Sequence, residues 1–344
     1  MEKKYKIRYM KEILCSIATR GRYDTTLPLA ISSVINQTKL PDHLIIFDDN
    51  DEDKRIDIRE REVYRNLLIM LDLKGISWQV IFGERKGPHF NHQIANTFGY
   101  KWVLRVDDDT ILEPNVLQSL YNKAISKSNI GAVGGSIITP WWNFSEDDRK
   151  KASNKIEDIY STPNKQWFPI LKSEEVDHLH CSFLYRAGIV DYNLQLSKKG
   201  HREETLLSYE FIKRGYKNFI VPCKTWHLKS SEGGIRGTDD EEMYIHDEEI
   251  FQKSIDCGFI VILNSGLGDH LVFESILLDL MKKYKKITLA VCYPEVFEEY
   301  NVPLISIADA EKIIQIEPHN VYRFMATNNW KGSLQSAYKK MYQL

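Results

Sequence analysis

Short apolar runs alternate along the chain with longer stretches in which apolar residues return every three or four positions. The runs predict strands at Ile13–Ala18, His43–Phe47, Ser77–Phe82, Trp102–Val106 and Ala132–Ile138. The longer stretches predict helices at Leu27–Asn36, Arg59–Leu71, Gln93–Gly99 and from Pro114 to about Ser126, with Pro114 suited to a first turn. This alternation marks an α/β fold with a mostly parallel sheet. After Pro140 the pattern weakens into a polar stretch, Trp141–Lys172. A strand at His180–Tyr185, a helix at Glu203–Arg214 closed by Gly215, and a strand at Asn218–Pro222 follow. Lys229–Glu249, acidic and broken by glycines, reads as a mobile loop. Near Asp256 a new unit begins: strand Phe259–Leu263, Gly266-Leu267-Gly268, helix Asp269–Tyr284, strand Ile287–Val291. The expected division is therefore 1–256 and 257–344.

Length and composition agree with two domains. The chain has 344 residues, and its 43% hydrophobic fraction can fill a core and excludes a disordered protein. A net charge of -2 supplies no basic face, so no nucleic-acid partner is expected. No apolar run approaches the roughly 20 residues of a membrane span, which leaves only peripheral membrane contact open. The charged N-terminus leads into no signal core, so the expected location is cytoplasmic. Five cysteines without a CxxC pair read as small buried hydrophobes in a reducing compartment, not as a disulfide frame or zinc site.

The most informative segment is Val106-Asp107-Asp108-Asp109-Thr110, directly after a buried strand. Ligands of open α/β sheets sit beyond the carboxyl ends of strands. Adjacent carboxylates about 5 Å apart repel by roughly 3 kcal/mol per pair at an effective dielectric of about 20. A hard divalent cation, Mn²⁺ or Mg²⁺, would relieve this. In an extended chain Asp107 and Asp109 would face one way and Asp108 the other. An acidic turn capping the next helix explains the triplet equally well. A second acidic strand end, Asp48-Asp49-Asn50, shifts the balance, because two strands then deliver carboxylates to one sheet edge.

Taken together these residues resemble family 2 glycosyltransferases with the GT-A fold. Ser16–Arg22, Leu29–Ser33, Asn36-Gln37-Thr38 and Leu44–Asn50 are similar to the family's opening. Leu104–Asp109 followed by Pro114 resembles its DxD segment. His201–Ser208 with Lys213–Tyr216 resembles its acidic helix start, usually Glu-Asp and here Glu-Glu, and Thr225-Trp226-His227 resembles its late histidine. The motifs keep the family's order over about residues 11–230.

The resemblance implies a metal-dependent, inverting transfer of a sugar from a nucleoside-diphosphate sugar, UDP-sugar favoured, to a hydroxyl of a glycan or glycoconjugate acceptor. It implies nucleotide-sugar contacts from Thr19, Arg20, Asp49, Asp107 and Asp108. Of these, Thr19 and Asp49 fall to the base, and Asp107 to the ribose or a water on the cation. Asp109 and His227 would hold Mn²⁺ or Mg²⁺. Glu204 would be the catalytic base, with Glu203 the neighbour that could replace it. The chemistry suits the residue types, since an inverting transfer needs one carboxylate to take the acceptor proton. Both glutamates open a helix, where the dipole favours the ionised form; ordinary helix capping is the competing explanation. Asp177–Arg186, with His180, Cys181 and Ser182, resembles the strand lining the sugar and acceptor side in some members.

Other signals are weaker. His89, His92, His178 and His180 match no zinc spacing. Trp141, Trp142, Trp167 and Phe168 suit either stacking on an acceptor or plain packing. Lys229 and Arg236 flank a glycine-containing loop and could close over a diphosphate, although a plain solvated loop is the preferred reading. Residues 257–344 weakly resemble the N-terminal lobe of heptosyltransferase-type GT-B enzymes, without that architecture's nucleotide-sugar lobe, so this part is expected to be a small Rossmann-like domain: a non-catalytic remnant, a docking module or the beginning of a second enzyme. Two rivals stand beside the glycosyltransferase. A nucleotidyltransferase would show a Gly-rich loop after the first strand, where Thr19–Arg22 has one glycine. A non-catalytic sugar- or protein-binding module would bind metal without turnover.

Overall fold

The fully apolar runs become the centre of the larger sheet, because parallel strands covered on both faces need continuous hydrophobic sequence. The computed structural model describes residues 11–140, 143–229, 234, 241–284, 286–314 and 319–344. Trp141, Trp142 and Arg236 lie outside these residues. By internal packing the chain divides into a unit of Met1–Tyr192 with Lys217–Asp239, and a unit of Asn193–Tyr216 with Asp240–Leu344. The boundary drawn from the sequence near Asp256 falls within the second of these.

The first unit opens with β1 (Ile13–Thr19), α1 (Leu27–Ile35), β2 (His43–Asp48), α2 (Glu62–Leu73), β3 (Ser77–Phe82) and α3 (Pro88–Asn96). It continues with β4 (Trp102–Asp107), β5 (Thr110–Leu112), α4 (Val116–Ala124), β6 (Ile130–Ile138), α5 (Glu146–Lys151), β7 (Glu174–Val176) and β8 (Phe183–Arg186). Helix α6 (Glu203–Lys213) belongs to the second unit, and the chain then returns as β9 (Lys217–His227). The strand order is β3-β2-β1-β4-β8-β6-β9-β5, with β7 also on β9. From β3 to β4 every pair is parallel, β8 runs antiparallel to both neighbours, and β6–β9 is parallel again. This is the mostly parallel GT-A, Rossmann-like arrangement. Its core is built from Ile13, Cys15 and Ile17 of β1, Leu104 and Val106 of β4, and the inward face of α1.

Several elements differ from the pattern-based expectation for local reasons. Helix α3 begins at Pro88, not Gln93, because Gly87 turns the chain at φ 102° and proline suits a first helical position. Pro114 lies before α4 and its cap residue Asn115, not in its first turn. The strand expected from His180 starts only at Phe183, because Cys181 takes φ 59°, which an extended chain cannot contain. The acidic end of the expected loop is helical: α7 (Glu241–Cys257) buries Asp247, Ile250, Phe251 and Ser254, spaced three or four apart.

In the second unit α7 is followed by β10 (Phe259–Leu263), α8 (Leu267–Lys283), β11 (Ile287–Val291), β12 (Leu304–Ile305), α9 (Ile307–Glu311), α10 (Val321–Thr327) and α11 (Leu334–Met341). The three strands form a small parallel sheet in the order β10-β11-β12. Its core joins Val261, Leu289, Phe273 and Leu277 to Tyr338 of α11. Asn193 bonds to the Ile313 carbonyl and Gln343 to the Tyr216 hydroxyl, so both ends of the 193–216 segment are tied to the C-terminal part of this unit. No helix among the described residues is long and apolar enough to cross a membrane.

Candidate active site

Asp107 is the last residue of β4, and Asp108 and Asp109 form the turn that leads into β5. Strict alternation therefore ends at Asp107, and each carboxylate meets a different partner. Asp107 accepts from Arg105 Nη2 at 2.9 Å and from the Cys181 thiol at 3.1 Å. Asp108 accepts from the Arg20 backbone N–H at 3.2 Å and pairs with Arg22. Asp109 pairs with Arg22 Nη2 at 3.1 Å on one side and with His227 Nε2 at 3.3 Å on the other. The β5–β9 pairing sets Thr110 opposite His227, and this register places the imidazole beside Asp109.

The repulsion that pointed to a cation is thus answered partly from within the chain. Three carboxylates face the guanidinium groups of Arg22 and Arg105, which leaves one net negative charge. Burial pushes the Asp108 carboxyl up to about 6, despite Arg22. Burial acts on Asp109 in the same direction, but the His227 hydrogen bond, with Arg22, holds its carboxyl below the usual range. Burial, with Asp107 and Asp109 nearby, pushes the Cys181 thiol well up. Gly234 lies against Arg22: its backbone N–H donates to the Arg20 carbonyl, and a Cβ there would meet Arg22 Nη2 at 2.7 Å.

The other acidic strand end serves the walls of the same edge. Asp48 accepts from the Tyr23 hydroxyl and from Asn50, and Asn50 Oδ1 accepts from the Gly21 N–H at 2.6 Å. Asp49, buried at 3% exposure, accepts from the backbone N–H of Arg85 at 2.9 Å and of Gly87 at 3.1 Å. It thereby pins the loop after β3, and burial pushes its carboxyl up. Thr19 closes β1, and its carbonyl accepts the Asp49 N–H at 2.9 Å. Arg20 reaches Asp51 at 3.1 Å. Thr19, Arg20, Asp49, Asp107, Asp108, Asp109 and His227 therefore all stand in the first unit, at the ends of β1, β2, β4 and β9.

Glu203 and Glu204 open α6 in the second unit, and both are largely buried. The loop before them is held within that unit. Asp247 of α7 accepts from the Ser197 N–H at 2.6 Å and the His201 N–H at 2.8 Å, and Glu248 pairs with His201 and Arg202.

Sequence reasoning assigned no role to Arg22 or Arg105 and placed Cys181 only in a lining strand. Arg22 lies inside the motif already quoted, so its spacing from the strand end was the available signal. Cys181 is more than a buried hydrophobe, as its bond to Asp107 shows, whereas Cys292 is exposed. Asp107, Cys181 and His227 form a group whose ligand atoms lie within 4.8 Å of one another. Trp167 stacks on Phe144 at 5.6 Å, and Phe168 packs against the same ring at 5.1 Å.

Comparison with known proteins follows the same segment. No curated protein sequence matches the chain. A crystal structure of GalNAc-T7 with UDP, GalNAc and Mn²⁺ is similar at 14% identity and a TM-score of 0.48, covering 71% of this chain and 48% of that one. The chain thus spans about half the length of that structure. The model of glycosyl transferase family 2 matches residues 17–192, from within β1 through the acidic strand ends to the close of the first segment of the unit. That match takes in just over half of the residues, and the chain belongs to glycosyl transferase family 2.

Proposed function

We propose that the chain is a metal-dependent, inverting glycosyltransferase that moves a sugar from a nucleoside-diphosphate sugar, UDP-sugar favoured, to a hydroxyl of a glycan or glycoconjugate acceptor. The observation that carries this reading is the buried Asp109–His227 pair at 3.3 Å on the sheet edge where the carboxylates collect. Two ligands at right angles, each about 2.1 Å from one ion, lie about 3 Å apart, so the pair fits Mn²⁺ or Mg²⁺ with small adjustment. A carboxylate and a neutral imidazole are donors that Mn²⁺ accepts. When bound, the ion would neutralise charge growing on the leaving diphosphate.

The chain's own residues do the rest. Arg22 holds the Asp109 carboxylate ionised and turned toward His227. Arg105 and the Cys181 thiol fix the Asp107 carboxylate, which is left to face the donor. With one net negative charge left after its two arginines, the Asp107–Asp109 triplet becomes net positive when a divalent ion is present, which suits a diphosphate. Thr19 and Asp49 would flank the base, with Arg20 and Asp108 completing the nucleotide side. Glu204 would take the acceptor hydroxyl proton on its carboxylate as the hydroxyl oxygen attacks the anomeric carbon. Glu203 is its neighbour on α6, and the helix N-terminus favours the ionised form of both. Residues 257–344 would supply no reacting group and would act only by holding the segment that carries α6.

The test is a screen of nucleoside-diphosphate sugars that reads released nucleoside diphosphate with Mn²⁺ and with EDTA. Release with Mn²⁺ that EDTA abolishes is expected, and Asp109→Ala should lose Mn²⁺-dependent donor binding while keeping its fold. Unchanged Mn²⁺–nucleotide affinity in that variant, measured by calorimetry, would sink the assignment.

A further inference from the structure

We propose that Asp107, Cys181 and His227 form a site for a thiophilic divalent ion of the Zn²⁺ class, distinct in its donors from the Asp109–His227 pair. One carboxylate oxygen, one sulfur and one imidazole nitrogen converge within 4.8 Å. Three protein ligands of this kind with a fourth position open are the pattern of reactive zinc sites. Tetrahedral ligands around Zn²⁺, at about 2.0–2.3 Å, lie roughly 3.5 Å apart, so the longest edge must close by about an ångström. The Cys181–Asp107 edge, at 3.1 Å, is already short enough. Cys181 and His227 are buried, while the Asp107 side chain keeps 23% of its exposure, which gives the ion an entry and room for a solvent or donor ligand.

The donor chemistry selects the ion. Sulfur and imidazole favour Zn²⁺ over Mn²⁺ at a mixed site, and Mg²⁺ demands an octahedral set of oxygens that these residues lack. The thiol proton now lies on the bond to Asp107. Binding replaces it: the S–H bond breaks, a sulfur–metal bond forms, and the proton passes to buffer. His227 serves both this site and the pair proposed for Mn²⁺, so the two ions compete. Only that competition rests on the proposed function; binding at the cysteine does not.

The experiment titrates the full chain with Co²⁺ as a spectroscopic stand-in, then with Zn²⁺. A near-ultraviolet sulfur-to-cobalt charge-transfer band is expected. Zn²⁺ should abolish it, Cys181→Ser should lack it, and Cys292→Ser should keep it. Zn²⁺ affinity should fall at least about tenfold in Cys181→Ser and in His227→Gln. Absence of the band in the wild type, or equal Zn²⁺ affinity in wild type and Cys181→Ser, overturns the proposal. Should Cys181→Ser fail to fold, the wild-type spectrum with the His227→Gln titration decides. Mn²⁺-dependent donor release with no thiolate band would leave the glycosyltransferase reading standing without this site. A thiolate band with no release for any donor would do the reverse.

Discussion

Arg22 is the residue on which the acidic edge depends most, so its removal gives the sharpest test. Its guanidinium is 13% exposed and faces carboxylates that are 7% and 6% exposed, those of Asp108 and Asp109. Arg22→Met keeps much of the side-chain volume and removes the charge. Two buried carboxylates are then left against Asp107 without their common partner. Breaking a buried pair in this way costs about 3–5 kcal/mol, because the remaining charges stay desolvated. For a unit of about 200 residues, each kcal/mol is worth roughly 2–4 °C, so the first unit should melt about 6–20 °C lower. A divalent ion should recover part of the loss by restoring positive charge between the same carboxylates. At about 100 times its dissociation constant an ion adds roughly 2.7 kcal/mol. The assay is thermal unfolding of wild type and Arg22→Met in EDTA and in excess Mn²⁺, followed by a probe in the first unit. A large drop in EDTA that shrinks in Mn²⁺ is expected. A variant as stable as the wild type in EDTA would show that the guanidinium does not offset the triplet, and the charge argument would fail.

Glu204→Gln should keep donor affinity and lose transfer by about 10²-fold or more, the usual scale for a general base, in a coupled assay of product formation; a dead Glu203→Gln beside an active Glu204→Gln moves the assignment by one residue. In the second unit, burial, with Arg214 and Lys213 nearby, lowers His319 to about 3. Its folded value lies below the ordinary 6.5 of an unfolded histidine, so its contribution is intact above about pH 6.5 and is lost as pH falls toward 3, at up to about 1.4 kcal/mol per pH unit. His319→Gln should flatten that acid slope in denaturant melts, and an unchanged slope refutes the assignment. A chain ending near Asp256 should keep Mn²⁺-dependent nucleotide binding, measured by calorimetry, and lose transfer, because it removes Ile313 and Gln343, which tie down the segment carrying α6.

The sheet was legible in the sequence because its central strands are buried on both faces and therefore mostly apolar, as in β1 and β4, where Ser16 and Arg105 are the interior exceptions. Helix starts were less legible where a turn residue governs them. Gly87 and Pro88 begin α3, yet its apolar positions are concentrated later, so periodicity placed the start too far along. Periodicity also failed at α7, whose buried face includes Asp247 and Ser254; polar residues that bond inside a fold look like loop residues in a sequence.

The acidic triplet shows the same limit in the chemistry. Like charges in a row reveal that something positive must stand beside them, but not what. Local spacing offered a metal or a helix-capping turn and no arginine, since Arg22 is 86 residues from Asp108 along the chain and meets it only when β1 and β4 pair. Arg105 was closer at hand, yet an arginine inside an apolar strand reads as a packing residue until the strand is seen to end at Asp107. Because these two guanidinium groups neutralise most of the triplet, the ion is not needed to hold the edge together. An ion would serve the chemistry and not the folding: it would turn the nearly neutral triplet into a positive one for the time that a diphosphate is held there.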